Sequence, residues 1–315
     1  MKKLAVLAYA GCFITGGAHA SCGAAFCSAS NDWLTLTQGV TPGWRVWTQV
    51  EYLRQDQLRA GTDKLSPAEL TEHHQEIKTI NRNALLGLEY GFAPGWSANL
   101  VLPYSNREHL HVHTHHGTPI PEAWQFDHIG DARLTLRHQL AAHPGGWSWN
   151  LQGGLKLPTG RTDVRNADGD AAERSVQPGS GTTDLLLGGG LAYAPLSLPG
   201  SLFSNLTVQA PLDEKDGYQP GWRTSVQAGW LFPLGGKLDL ILQGNLLYVK
   251  HDRGINAEPD DSGRTEAALV PGLAYALSRN LSVYGQVELP FYQKVAGIQL
   301  THDYAVSAGL SLALN

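Results

Sequence analysis

The densest run of side chains able to do chemistry is His109-Leu110-His111-Val112-His113-Thr114-His115-His116. In an extended chain His109, His111, His113 and His115 share one face, with successive imidazoles about 7 Å apart. Four such rings cannot hold one ion unless the segment folds, but two of them with a donor from elsewhere can. His73 and His74, with Glu69, Glu72 and Glu76, supply candidate donors. Ser66-Pro67-Ala68-Glu69 reads as a capping box with proline at the first helical position, and on such a helix Glu69, His73 and Glu76 share a face. Neutral imidazole suits Zn, Cu and Ni. The chemistry on offer is therefore transition-metal capture through His109, His111, His113, His115, His116, His73 and His74, against the alternative of a polar loop with no ligand. No other cofactor is expected.

Two further sets are thinner. Cys22 and Cys27 either close a small disulfide loop or form a C-x4-C metal pair. Hydrolysis would need a serine, a histidine and a polar orienter together. His138 has Thr135 and Ser148 nearby, but no nucleophile motif accompanies it, so the chain reads as a non-enzyme.

The elements that must position these residues are organised around the hairpin from Trp147 to Tyr193. Its first arm, WSWNLQGGLKLPTG, places Trp147, Trp149, Leu151, Gly153, Leu155 and Leu157 on one face. Strict alternation over about a dozen residues is longer than an ordinary soluble strand and matches the nine to eleven or so that a tilted membrane-spanning strand needs. Pro–Gly punctuation recurs before such runs, at Pro42-Gly43, Pro94-Gly95, Pro144-Gly145 and Pro199-Gly200. Between these turns lie twelve candidate strands, near 44–54, 77–91, 96–108, 127–140, 146–158, 182–194, 201–212, 221–232, 237–250, 264–277, 281–293 and 301–314. An even count with short turns at one rim and long loops at the other is the pattern of an outer-membrane barrel. Pro103, Pro158, Pro211 and Pro290 fall at outward strand ends, where a missing ladder donor is tolerated.

Parity assigns the faces. Lipid receives Leu100, Leu102, Tyr104, Trp147, Trp149, Leu151, Val226, Trp230, Leu240, Leu242, Val283, Leu289, Val306 and Leu310. The interior receives Arg45, Glu51, Arg107, Glu266 and Asp303, together with a set expected to govern selectivity: Arg133, Arg137, Lys156, Arg223, Glu89, Asp131, Asp184, Asp239 and Glu288. Outer loops are expected at 55–76, 109–126, 159–181, 213–219 and 251–263. The last two carry Asp213, Glu214, Asp216, Glu258, Asp260 and Asp261, an acidic rim suited to divalent-bridged lipopolysaccharide.

The net charge of -5 with only 16% charged residues excludes nucleic acid as a partner. Lys2-Lys3, the apolar LAVLAYA and Ala18-His19-Ala20 form a secretion signal. The expected organisation is a signal peptide at 1–20, a periplasmic segment with the cysteine pair at 21–43, and a barrel at 44–315, exported to the outer membrane of a Gram-negative bacterium by way of its assembly machinery.

Gly130-Asp131-Ala132-Arg133-Leu134-Thr135-Leu136-Arg137, then Leu155-Lys156-Leu157-Pro158-Thr159-Gly160, then Gly179-Ser180-Gly181-Thr182-Thr183-Asp184 resemble the outer-membrane proteins named for a putative meta-cleavage pathway of phenol degradation. The likeness is strongest over about 127–194. It implies an outer-membrane barrel passing small hydrophobic or aromatic compounds, and it brings no catalytic residues. Barrels of this kind usually end in an aromatic residue, whereas this chain ends Leu312-Ala313-Leu314-Asn315.

Together these observations predict an all-β, transmembrane, antiparallel up-and-down barrel of about twelve strands. Its work is passive passage of a small solute, with outer-loop metal binding or sensing as one alternative and a plugged structural barrel as another. No energy-coupling motif is present. Neutralising Arg133 and Arg137 together is expected to shift ion preference in planar bilayers toward cations. Unchanged selectivity would take those two side chains off the water path.

Overall fold

The computed structural model describes residues 39–66, 74–115, 118–143, 146–195 and 197–314. The expected secretion signal, Cys22 and Cys27, the expected helix from Pro67 to His73, and His116 lie outside the described residues. His74 and His115 are described in backbone only.

Twelve strands form a closed antiparallel ring: β1 (Gly43–Ala60), β3 (His74–Ala93), β4 (Trp96–His115), β6 (Ala132–His143), β7 (Trp147–Leu157), β8 (Asp184–Tyr193), β9 (Ser201–Pro211), β10 (Arg223–Gly235), β11 (Leu238–Val249), β12 (Arg264–Ala276), β13 (Leu281–Val295) and β14 (Ile298–Leu314). The ring closes where Trp44–Ala60 pairs with Leu314–Ile298. Closure leaves no sheet edge in hydrocarbon, where an unbonded backbone group would be costly. Among the described residues, two further strands lie off the ring. β2 (Asp63–Lys64) folds back on Arg59–Ala60, and β5 (Thr118–Ile129) pairs only with β4.

Every strand of the expected lipid set points outward, and exposed Leu102, Leu151, Val226, Leu242, Leu289 and Leu310 form the belt. Its periplasmic border is aromatic. Trp44 stacks on Tyr90, Trp147 on Tyr193, and Trp96 on His138 with ring centroids 4.2 Å apart. That contact makes His138 part of the interfacial girdle. The outer border is marked by outward-facing ion pairs, Arg54–Asp56 at 2.7 Å and Arg82–Glu108 at 2.6 Å. Such pairs belong in water, so the strands above them have left the membrane.

Four expectations need correction. First, 55–60 and 74–76 are strand, not loop, and Glu76 lies in β3 rather than on a helix. Second, most of 109–126 is a hairpin: β4 runs on to His115 and β5 returns from Thr118. Pro119 and Pro121 obscured it, but both sit on an edge strand, where proline is tolerated. Third, the run 127–140 is two strands broken at Gly130–Asp131. Pro103 marks that break on β4, which pairs with β6 over Trp96–Val101 and with β5 above Tyr104. Fourth, Asp303 is not interior. The β1–β14 register slips between Leu53/Ala305 and Gln55/His302, and the bulge turns His302 inward and Asp303 outward to meet Lys64 at 3.0 Å.

The long segment between β7 and β8 does not extend into solvent. Val164–Ala172 forms a small hairpin, and Val164, Ala172 and Val176 bury against Trp124 and Phe126 of β5. Its base is pinched at two glycines: a Cβ on Gly160 would lie 2.7 Å from the Gly179 Cα. Gly160→Val is therefore expected to unseat this segment while leaving the ring folded. Limited trypsin digestion should then cut at Arg161, Arg165 and Arg174 well before the barrel loses its heat-modifiable mobility. An unchanged digestion rate would show that the pinch does not hold the segment in place.

Candidate functional site

The barrel interior is a polar wall interrupted by an apolar belt. Alternation alone places Arg45, Glu89, Arg133, Arg137, Arg223, Glu266 and Glu288 inward, and all line one cavity of about 290 Å³. The same wall carries Trp47, Leu85, Val101, Leu186 and Leu247. The Trp47 ring lies flat across Gly87 of β3, its register partner, where a Cβ would come within 1.9 Å of the indole. The bare glycine thus keeps a large aromatic against the wall instead of across the lumen.

Ion pairs stiffen this wall. Glu89 takes Arg45 at 3.2 Å on one side and Arg137 on the other, with all three side chains buried. Removing one member of such a group would strand a buried charge. Arg133 and Arg223 sit where this cavity meets a second, smaller one of about 90 Å³ nearer the outer mouth. Toward the periplasmic end of the lumen, Phe203, Ile241, Ala274 and Tyr284 pack together as a buried cluster. Asp239 faces inward two residues beyond Ile241, at the periplasmic end.

The remaining charges expected to govern selectivity have a different setting. Lys156 Nζ lies 3.1 Å from both Asp131 Oδ2 and Asp184 Oδ1, and it donates to Thr182 Oγ1 at 3.3 Å and to Ser180 Oγ. The Gly160 and Ser180 amides donate to Asp131 at 3.0 and 2.9 Å. Thr159 Oγ1 accepts from the Ala132 amide and donates to the Gly130 carbonyl. The GD, KLPTG and GSGTTD runs thus converge on one buried lysine. They clamp both ends of the 158–183 segment to β6 and β7.

Above the clamp is the mouth. Arg107, fully buried, donates to Asn81 Oδ1 at 2.6 Å and to the Val176 carbonyl, and its guanidinium lies 5.9 Å from the Phe126 ring centroid. His109 and His111 turn inward and His113 is half-buried. The structure brings together His111, His113 and Glu122 of β5. His109 instead faces Thr79, with Nδ1 2.8 Å from Oγ1. Burial, reinforced by the neighbouring His111 and Arg107, pushes His109 down to about 3.

The mouth is also crowded with carboxyls. Burial first, then repulsion from Asp261 and Glu122, raises Glu173 to about 8. Burial, then Glu173 and Asp261, raises Glu258 to about 9. Glu76, directly across the ladder from His111, is raised for the same reasons. Tyr218 donates to Asp252 at 2.8 Å, and the Ile298 amide donates to Asp261 at 2.9 Å, so acidic residues of the rim also serve as turn acceptors.

Sequence reasoning did not single out Trp124, Phe126, Arg174 or Gln177. The alternation Ile120, Glu122, Trp124, Phe126 was a usable strand signal. Nothing local marks Gln177, whose amide spans Val164 and Ala172 across the segment.

Comparison with known proteins adds family and fold. A profile of the family described as "Putative MetA-pathway of phenol degradation" matches residues 109–296. No curated protein matches the chain. An outer membrane channel from Pseudomonas putida F1 is similar in structure at a TM-score of 0.66 and 9% identity, covering 88% of this chain and 97% of that one. The Ralstonia pickettii toluene transporter TbuX (TM-score 0.46, 6% identity, 89% and 92% covered) and the translocator domain of autotransporter NalP from Neisseria meningitidis (0.46, 11%, 89% and 93%) are equally distant. At that distance the likeness does not separate one kind of barrel from another.

The raised mouth carboxyls have a pH consequence. A carboxyl held above its ordinary value is neutral in the packed mouth. Its contribution to stability is whole below pH 4.5 and is lost as pH rises through about 8 and 9. Protection factors, taken relative to the hydroxide-catalysed intrinsic exchange rate, are expected to fall in 158–183 and 251–263 over that range while the ring strands keep theirs, and Glu173→Gln should flatten the change. Protection factors independent of pH in the wild type would refute the packing.

Proposed function

The chain belongs to the family described as the putative MetA-pathway of phenol degradation, and from that premise we propose that it is a passive outer-membrane channel for small, weakly polar, ring-bearing solutes. The observation that carries this is the mixed wall of the 290 Å³ cavity. A wholly polar lumen favours ions and sugars, and a wholly apolar one holds water out. Here Trp47, Leu85, Val101, Leu186 and Leu247 offer a ring an apolar seat. Ser97, Asn99 and Gln49, on the same wall, offer partners to one hydroxyl. The volume is at the small end of ligand cavities, which run from about 300 Å³, so it suits a single ring. The charged residues around it would then orient the solute and exclude inorganic ions of the wrong sign. The absence of a P-loop or other energy-coupling motif supports diffusion as the driving process.

The same reading takes export through a signal peptide at 1–20 of a Gram-negative cell, insertion by the outer-membrane assembly machinery, and contact of the outer rim with lipopolysaccharide. The secretion pattern at the start of the sequence and the charged outer border support it.

The test is uptake into lipopolysaccharide-containing proteoliposomes, comparing a phenolic compound, a fatty acid and a divalent metal ion. The phenolic compound is expected to enter several-fold faster than into protein-free vesicles, and Gly87→Ala, which forces Trp47 off the wall, should remove most of that gain. Phenolic uptake equal to that of empty vesicles would sink the proposal and favour a plugged barrel.

A further inference from the structure

The β4–β5 hairpin stands above the outward-facing ion pairs that end the lipid belt, so it is in water at the outer mouth. Its register sets Glu122 directly opposite His111, and His113 lies two residues farther along the same face. One donor from one strand and two from its neighbour therefore converge. Glu122 Oε2 lies 2.8 Å from His111 Nε2, Glu122 Oε1 lies 3.0 Å from His113 Nδ1, and all three ligand atoms fall within 4.8 Å of one another.

These separations are close to what a tetrahedral ion needs. With metal–nitrogen and metal–oxygen bonds of about 2.0–2.1 Å, ligand atoms sit roughly 3.3 Å apart. The two histidine–glutamate separations need to open by only a few tenths of an ångström, and the two imidazole nitrogens already lie within 4.8 Å of each other. A second observation points the same way. The far nitrogen of His111, Nδ1, faces Glu173 Oε1 at 3.8 Å. A carboxyl group or carbonyl behind the ligating imidazole is the usual device for fixing its tautomer and orientation at a metal. The Trp124 ring packs edge-on against His111 at 4.7 Å and limits its freedom further. Glu173 does not come from the hairpin; it belongs to the segment clamped by Lys156.

We propose that His111 Nε2, His113 Nδ1 and the Glu122 carboxylate form a zinc site at the outer mouth, with Glu173 as the orienting residue behind His111. Two imidazoles and one carboxylate are a donor set suited to Zn²⁺, and they leave a fourth position for water. Because Glu173 rides on the 158–183 segment, an ion held here ties that segment to the hairpin. The site is narrower than the whole histidine tract. His109 is turned to Thr79, and the neighbouring His73, His74, His115 and His116 are not needed for it.

Isothermal titration of the full-length, detergent-folded protein with Zn²⁺ tests this, with Co²⁺ absorption as a reporter of coordination. One ion per chain is expected, with the intense visible bands of a four- or five-coordinate Co²⁺. His111→Ala with His113→Ala should abolish that binding. Glu173→Gln should weaken it about 10- to 100-fold without changing the stoichiometry. Replacing His73, His74, His115 and His116 together should leave it in place, as should His251→Ala in the 251–263 loop. Binding that survives the double variant, or that disappears with the quadruple variant, would assign the ion to other histidines and overturn the proposal. So would the absence of saturable binding. None of these outcomes depends on what the lumen conducts, and heat-modifiable mobility of each variant separates loss of the site from loss of the barrel.

Discussion

Hydrocarbon accepts no backbone donor or acceptor without a partner, and the architecture follows from that constraint. It requires the β1–β14 ladder to close the ring. It also requires the outer face of each strand to be apolar between the aromatic girdle and the first outward ion pair. The polar residues of the sequence are therefore sent inward or beyond the membrane. Inside, a second constraint takes over: charges in a narrow lumen must find one another.

They do so in two ways, and the difference separates wall from clamp. Glu89 of β3 pairs with Arg45 on the adjacent β1 and, across the intervening β4, with Arg137 on β6, and all three face the cavity. Asp131, Lys156 and Asp184 pair with one another and also with backbone amides from both ends of the long β7–β8 segment. The motifs that carry the family resemblance are thus the residues that hold a loop down over the lumen. The glycines belong to the same device, because Gly160 and Gly179 bring two backbones too close for any side chain between them.

The mouth assembled on that clamp is built from distant pieces of chain. β5 contributes Trp124, Phe126 and Glu122, the clamped segment contributes Val176 and Glu173, β4 contributes Arg107 and its histidines, and the 251–263 loop adds Glu258 and Asp261. Their mutual burial raises the carboxyls and lowers His109. It leaves the approach to the lumen lined by groups whose charge depends on what they face.

Fold class, strand count, the orientation of the lipid-facing residues and most of the inward charges were legible in the sequence. Alternation is a period-two property, and each residue's face follows from its neighbours alone. Asp303 shows where that reasoning stops: one bulge reversed its parity, and bulges come from the pairing partner, not from the strand's own residues. The hairpin of β4 and β5 was hidden by Pro119 and Pro121, which are acceptable only because β5 is an edge strand. What tertiary structure alone decided is which charges meet. Lys156 reads from the sequence as a lumen residue, but its two aspartates lie 25 and 28 positions away, and only the β6–β7 and β7–β8 registers bring them within 3.1 Å. Local periodicity encodes direction; contact between remote side chains depends on register and loop closure, which no local pattern contains.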